Sequence, residues 1–172
     1  MIRYYADGVG MPKLTRLINR QWIKMVCEKY NRRVGDIVFI FTDEQTITSL
    51  NNEFNMKDCA TDIITIRYRE EGVVQGKIFI FLDLVRSNAR RLGVTFQQEL
   101  DRIMIHGILD LCGVASRSHE EQKQRTEVED EALMMKSAIC AAKTLVRTYK
   151  EETQKYYDRY HIQKNQSNED KD

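Results

Sequence analysis

The chain has 172 residues, of which 42% are hydrophobic, and its formal net charge is +1. This length fits one domain with one core, and the near-neutral charge excludes a global basic field, so a nucleic-acid surface would have to be a local patch. Four scattered cysteines without a C-x-x-C pair argue against a disulfide framework and against a cysteine zinc site.

The first residues of the chain do not resemble a targeting signal. MIRYYADGVG (1–10) lacks the basic region and apolar run of a secretory signal, and no stretch reaches membrane-spanning length. We therefore expect a cytoplasmic protein with no membrane partner.

The first half of the chain indicates alternating helices and strands. After Pro12, KLTRLINRQWIKMVCEKY (13–30) carries apolar residues at helical spacing, and IVFIFTD (37–43) is a β-branched and aromatic run typical of a strand. Residues 44–54 fit a second helix. IITIRY (63–68) and KIFIFLD (77–83) flank the polar turn REEGVVQG, which predicts a hairpin.

The second half of the chain indicates helices. Residues 84–92 form a helical pattern that ends at Gly93, and Thr95 with Gln98 has the spacing of a capping box for a helix that runs to Gly113. Ser118 and Glu121 repeat that spacing before a long helix without glycine or proline. The last ten residues, QKNQSNEDKD, are polar, and we expect them to be disordered.

These elements predict an α+β fold. The order is strand, helix, strand, helix, strand, strand and then helices, which indicates a small mixed β-sheet of about four strands packed with helices, plus a long C-terminal helix. We predict one domain over residues 1–150 and a polar helical extension with a disordered tail over residues 151–172.

The stretch IHGILDLCG (105–113) contains the candidate catalytic residues. His106 and Asp110 lie four residues apart in an otherwise apolar helix, so their side chains share one face. A buried carboxylate needs a cation, donors or water, and a metal ion would supply the cation. With His119 as the third ligand, the set would hold zinc or another divalent metal and leave a position for a hydrolytic water.

Structural roles for the same residues stay open. His106 and Asp110 would also fit a hydrogen-bonded pair at the mouth of a cleft, and His119 would fit an exposed first-turn residue. An H-x-x-x-D spacing alone does not decide between a metal site and these roles.

Several motifs together resemble the YbeY family of rRNA-maturation endoribonucleases. HGILDLCG, preceded by FQQELDRIMI, resembles the family signature H-G-x-L-H-L-x-G. The segments LNNEFNMKDCATDIITI, GKIFIFLDLVRSNARRLGVTF and EVEDEAL are similar to three further stretches of the family, so the resemblance covers most of the chain. The wording IIT and LCG resembles the branch found in Bacteroidetes. The resemblance implies an α+β domain with a zinc-type ion in its cleft and a role in ribosome maturation.

The ligand pattern departs from the family. His106 occupies the first ligand position, but Asp110 stands where the family has its second histidine. Ser116 falls at the third position, where the family has a histidine or an aspartate, and His119 lies three residues further on. Lys77 replaces an aspartate, and Asn55 replaces an arginine thought to meet substrate phosphates.

Basic residues indicate a possible RNA surface. Arg86 and Arg90 share a helix face, while Lys57, Arg67 and Lys77 come from the sheet and its approaches. If the fold brings them together, they bind RNA phosphates. An ordinary solvated face is the alternative, because Asp83 and Glu99 are near in sequence.

The family resemblance and the residue patterns together leave three functions open. The first is a metal-dependent endoribonuclease that acts on ribosomal RNA of the small subunit. The second is a catalytically degenerate module of the same fold that binds RNA or the ribosome during assembly. The third, ranked last, is a metal hydrolase with another substrate.

Overall fold

The computed structural model describes residues 1–55, 60–68, 70–114 and 119–169, and the side chains of all of these except 55, 119 and 160–169. It divides the chain into two compact units, Met1–Lys136 and Ser137–Asp172. The predicted boundary near residue 150 stays a prediction. The first unit contains the sheet and the candidate site.

Four strands and five helices follow one another along the described residues. The strands are β1 (Ile2–Ala6), β2 (Arg33–Thr42), β3 (Ile63–Arg67) and β4 (Val73–Phe81). The helices are α1 (Arg16–Lys29), α2 (Glu44–Asn55), α3 (Leu82–Leu92), α4 (Phe96–Cys112) and α5 (His119–Glu169).

The sheet is mixed, with strand order β1-β2-β4-β3. β1 pairs parallel with β2, β2 pairs parallel with β4, and β3 pairs antiparallel with β4. β3 therefore forms one edge of the sheet, with Thr65 opposite Ile78. The predicted hairpin and the predicted mixed sheet are confirmed.

Helix α4 packs closely on one face of β3 and β4. A Cβ on Gly107 would lie 2.8 Å from Ile78 Cγ2 and 3.0 Å from Ile63 Cδ1, so only glycine lets the helix approach this near. Gly76 of β4 has φ +153° and faces Leu111 of the same helix. These two glycines fix the distance of α4 from the sheet, and with it the position of the candidate site.

The opposite face of the sheet is covered by α2. Ile47 of that helix forms a buried cluster with Ile64 and Phe81, and Phe79 packs against it. Because side chains alternate along a strand, residues 63, 65 and 67 of β3 face α4 while residues 64 and 66 face α2.

The first part of α5, residues 119–136, is held to the core by a tryptophan and a lysine. The fully buried Trp22 of α1 donates from Nε1 to the carbonyl of Ala132 at 2.6 Å. Lys136 Nζ lies 4.8 Å from the centre of the Trp22 ring and 2.6 Å from Asp101 Oδ1. These contacts bring the acidic run 127–133 beside α4.

The helix ends test the predicted start and stop signals. Thr95 and Gln98 form both bonds of the capping box, and Gly93 ends α3 with φ +68°. α1 begins at Arg16, three residues later than the apolar pattern indicates, with Thr15 as its N-cap. The predicted order of elements begins with a strand for which no residues were assigned. In the structure this first strand is β1. Ser118 lies outside the described residues.

The second unit consists of the later part of α5. Tyr149, Tyr156 and Tyr157 are exposed along it. Across the part of the chain that the structure describes, no helix combines the length and apolar character needed to span a bilayer.

Candidate functional site

His106 and Asp110 lie one turn apart on α4, as their spacing indicates. Their side chains are 30% and 33% exposed, whereas the neighbouring Ile105, Ile108 and Leu109 are fully buried. The Nε2 atom of His106 lies 3.9 Å from Oδ2 of Asp110, which is too far for a hydrogen bond. The pair is therefore not closed on itself and borders solvent.

Glu129 of α5 fixes the imidazole of His106. Its Oε1 lies 2.6 Å from His106 Nδ1, and its side chain is only 8% exposed. A neutral imidazole that donates from Nδ1 to this carboxylate leaves its lone pair on Nε2, the atom on the side of Asp110. A carboxylate behind a histidine in this way is the usual arrangement behind metal-ligating histidines.

Arg125 of α5 holds the other member of the pair. Its Nη2 donates to Asp110 Oδ1 at 2.6 Å and to the carbonyl of His106 at 2.7 Å. Its Nη1 donates to the carbonyl of Val114 at 2.7 Å, and its Nε lies 3.4 Å from Glu129 Oε1. Arg125 is buried, so a permanent positive charge contacts Asp110 from the interior of the protein.

A second arginine completes the charge network. Arg102 makes two bonds to the buried Glu99, at 2.8 and 2.7 Å, and lies 3.6 Å from Glu129 Oε2. Burial by itself would raise the pKa of Glu129. The hydrogen bond with His106 and the positive charges around it together hold that pKa below its usual value. Glu129 is therefore an ionised partner of the imidazole at neutral pH.

A cavity of about 460 Å³ opens along the outer edge of β3 and reaches Asp110. Thr65 lines it and donates to Asp110 Oδ2 at 3.3 Å. The exposed Arg67 and the half-exposed Phe54 lie on its wall. The guanidinium of Arg67 comes within 3.1 Å of the position that a Cβ would take on Gly113, the residue that ends α4. One cavity is thus lined by the carboxylate of Asp110, the guanidinium of Arg67 and the ring of Phe54.

The predicted site residue Lys57 and the residue at the family's third ligand position lie outside what the structure describes. Lys57 falls in a segment that is not described, and so does Ser116, the residue at the family's third ligand position. His119 is the first residue of α5, but its side chain is not described. Their part in the site stays a prediction.

The predicted RNA-binding residue Lys77 lies away from the His106–Asp110 pair. It stands in β4 between Gly76 and Ile78, both of which face α4. By strand alternation its exposed side chain projects from the opposite face of the sheet. Lys77 and Arg67 are therefore not on one side, and the two do not form a single patch.

Arg86 and Arg90 lie on α3. Arg86 contacts the start of α4, whereas Asp110 lies near the end of that helix. Arg86 makes an ion pair with Asp83, and its guanidinium lies 5.3 Å from the centre of the Phe96 ring at the start of α4. Phe96 precedes Asp110 by fourteen residues, which corresponds to about 21 Å along a helix axis. Neither arginine lines the cavity at β3, although Asn88 of the same helix bonds Asp62, the residue before β3.

Arg125 and Glu129, the two residues that organise the site, were not predicted from the sequence. Glu129 lies in the EVEDEAL run that carries part of the family resemblance, and Arg125 precedes it by one helical turn. That spacing puts the two on one face of α5 and would have marked them as an ion pair. Nothing in the sequence indicates that this face meets His106.

Comparison with known proteins decides the family. A family model described as Endoribonuclease YbeY matches residues 9–137. The chain belongs to the YbeY family. It is 44% identical over 134 residues to the Endoribonuclease YbeY of Porphyromonas gingivalis strain ATCC 33277, covering 78% of this chain and 89% of the relative. The protein of the same name from Bacteroides thetaiotaomicron is 37% identical over 135 residues, covering 78% and 98%.

A solved structure has a similar fold. The solution structure of a Thermotoga maritima protein matches with a TM-score of 0.59 and 27% identity, and the match covers 83% of this chain and 93% of the other. The family resemblance stated from the motifs, including its Bacteroidetes branch, is confirmed. Within the described ranges, no three His, Cys, Asp or Glu side chains cluster as a metal site.

Proposed function

We propose that this YbeY-family chain is an endoribonuclease of ribosome maturation, which hydrolyses RNA phosphodiesters in the cavity at β3. The observation that carries the proposal is the His106–Asp110 pair, in which Asp110 lines that cavity and His106 is held by Glu129 at 2.6 Å. The matching relatives are named endoribonucleases, which supports RNA as the substrate. We place its action in the cytoplasm, on RNA of the small ribosomal subunit.

The walls of the cavity suit a single RNA strand. Arg67 is exposed and offers a guanidinium to a phosphate, which is the contact that dominates RNA affinity. Phe54 is 50% exposed and offers a ring on which a base can stack. β3 is an edge strand, so its outer backbone groups face the cavity and not another strand.

A divalent ion, zinc in the first instance, is the proposed cofactor. The described residues supply two ligand atoms, Nε2 of His106 and Oδ2 of Asp110, and His119 is the proposed third ligand. The imidazole fits this role because Glu129 holds its Nδ1 side. When bound, the ion would supply Lewis acidity and a positive charge for the phosphodiester.

The remaining residues of the site position these groups. Arg125 and Thr65 hold the two oxygens of Asp110, so the carboxylate cannot rotate freely. Glu129 sets the orientation and tautomer of His106. Arg67 holds the substrate backbone next to Asp110, which brings a phosphodiester to the pair.

A second candidate function is supported by the same network. The Arg125–Asp110 ion pair balances the carboxylate without any metal ion, and Ser116 is a poor ligand at the family's third position. A chain that binds RNA at the β3 cavity but no longer cleaves it would carry these features. It would act as an assembly module on the ribosome.

Cleavage of ribosomal RNA fragments separates the two candidates. We expect the wild-type chain to produce internal cuts that a chelator suppresses, and His106→Ala to abolish cutting while RNA still binds. Glu127→Ala, a change at an exposed residue of α5, serves as the matched control. RNA binding without cleavage in the wild type, unchanged by chelator, would overturn the endoribonuclease and favour the assembly module.

A further inference from the structure

Arg125 is the most completely engaged polar side chain of the site. It is 3% exposed, and its guanidinium contacts one carboxylate closely, a second one at 3.4 Å, and two backbone carbonyls. The carbonyls belong to His106 and Val114, which lie within α4 and just beyond its end. Since all its nearest partners are internal, Arg125 is built into the site and does not reach substrate.

The charges around Asp110 nearly balance without an ion. Three carboxylates, those of Glu99, Asp110 and Glu129, are linked to two guanidinium groups, those of Arg102 and Arg125. With a neutral His106 the network has one net negative charge. A divalent ion placed at Asp110 would leave it positive and would lie next to a permanent cation.

We propose that Arg125 is a positioning residue that competes with the divalent ion for Asp110, so that this site holds the ion weakly and exchangeably. The inference rests on the proposed function, because it concerns the ion that we assign to that site. Oδ1 of Asp110 shares its charge with the guanidinium at 2.6 Å, which leaves less negative charge for a metal on Oδ2. Direct repulsion between the two cations acts in the same direction.

Removing the guanidinium should therefore tighten metal binding. Arg125→Met keeps an unbranched and flexible side chain, shorter than that of arginine, and removes the charge and all donors. Asp110 would then lack its internal cation and would depend on the metal for one. We expect the zinc affinity to rise about 10-fold, whereas removal of an outer partner that supports a metal ligand usually lowers the affinity by about 10- to 100-fold.

Three comparisons keep the test specific. Arg125→Lys retains the positive charge, so we expect it to bind zinc about as weakly as wild type. Arg125→Met combined with Asp110→Asn should lose the gain, because the competing ligand is gone. Arg125→Gln, which keeps an amide donor for the carbonyl of Val114, serves as a second neutral variant if Arg125→Met fails to fold.

The experiment is a zinc titration of the full chain against a chromogenic chelator, with thermal unfolding measured in parallel with and without zinc. Tighter zinc binding and a larger zinc-induced rise in Tm in the neutral variants than in wild type and Arg125→Lys would support the proposal. Equal affinity in all of them, or no zinc binding in any, would overturn it. RNA cleavage by wild type and His106→Ala tests the proposed endoribonuclease activity, whereas the zinc affinities test the role of Arg125. One of the two proposals can therefore fail while the other holds.

Discussion

Glu129 Oε1 and His106 Nδ1 lie 2.6 Å apart and join α5 to the middle of α4. The two residues are separated by 23 positions in sequence, and only the packing of the first part of α5 against the core brings them together. This contact selects which nitrogen of the imidazole faces Asp110. The acidic run 127–133 therefore belongs to the functional site as well as to the helix.

Removal of Glu129 should impair catalysis through His106. We expect Glu129→Ala to lower kcat/KM for RNA cleavage by about 10- to 100-fold, because the imidazole loses the partner that orients it. Glu129→Gln retains an acceptor for Nδ1 and should recover part of the loss. Glu127→Gln, at an exposed position of the same run, is the control and should behave as wild type. Equal rates for Glu129→Ala and wild type would exclude this role.

Arg67 should contribute to RNA affinity more than other exposed arginines do. We expect Arg67→Glu to weaken the binding of RNA whatever its sequence. The slope of log Kd against the logarithm of the salt concentration should fall by the amount that corresponds to about one phosphate contact. Arg147→Glu is matched to it, since Arg147 is exposed and lies 3.7 Å from Glu151 in the second unit. A binding titration at several salt concentrations measures both. If the two variants bind equally well, Arg67 does not contact RNA.

A side chain at Gly107 should destabilise the fold. Its Cβ would approach Ile78 and Ile63 to 2.8 and 3.0 Å, and the overpacking should exceed the gain in helix propensity. We expect Gly107→Ala to lower the free energy of unfolding by about 1–2 kcal/mol, measured with urea. Gly10→Ala is the control because nothing lies within 4 Å of its Cβ position. An unchanged midpoint for Gly107→Ala would show that α4 can move off the sheet.

Asp43 should make the start of α2 sensitive to acid. The backbone N–H of Thr46 donates to Asp43 Oδ1 at 2.9 Å and holds the pKa of that carboxyl below its usual value. A lowered pKa in the folded state means that the stabilisation is complete above the unfolded pKa of about 4 and is lost as pH falls through the folded pKa.

Asp43→Asn keeps the capping oxygen but not the charge. Urea unfolding between pH 7 and pH 3 should show a stability advantage of wild type over Asp43→Asn that shrinks as the pH falls. An advantage that does not depend on pH would contradict the assignment of the cap to the charged carboxylate.

Local signals in the sequence predicted much of the fold. The Thr95–Gln98 capping box, the stop at Gly93 and the hairpin of β3 and β4 depend on neighbouring residues, and each is found in the structure. The sequence also placed His106 and Asp110 on one face, because helical periodicity decides that alone.

The rest of the site depends on contacts between distant segments. Arg125 meets Asp110 only because α5 folds back beside α4, and the pattern of α5 does not show which of its faces packs there. The same limit applies to Lys77, since strand alternation separates it from Arg67 although both are basic residues of neighbouring strands. Sequence spacing assigns faces within one element, whereas the partner of each face is set by tertiary packing.

The measurement that tests the central claim most directly is photo-crosslinking of ribosomal RNA fragments containing 4-thiouridine, followed by mapping of the linked peptides. The β3 cavity predicts crosslinks to peptides that contain Phe54, Arg67 or Asp110, and their loss in Arg67→Glu. Crosslinks confined to α3, around Arg86 and Arg90, would place the RNA away from the His106–Asp110 pair and contradict the account.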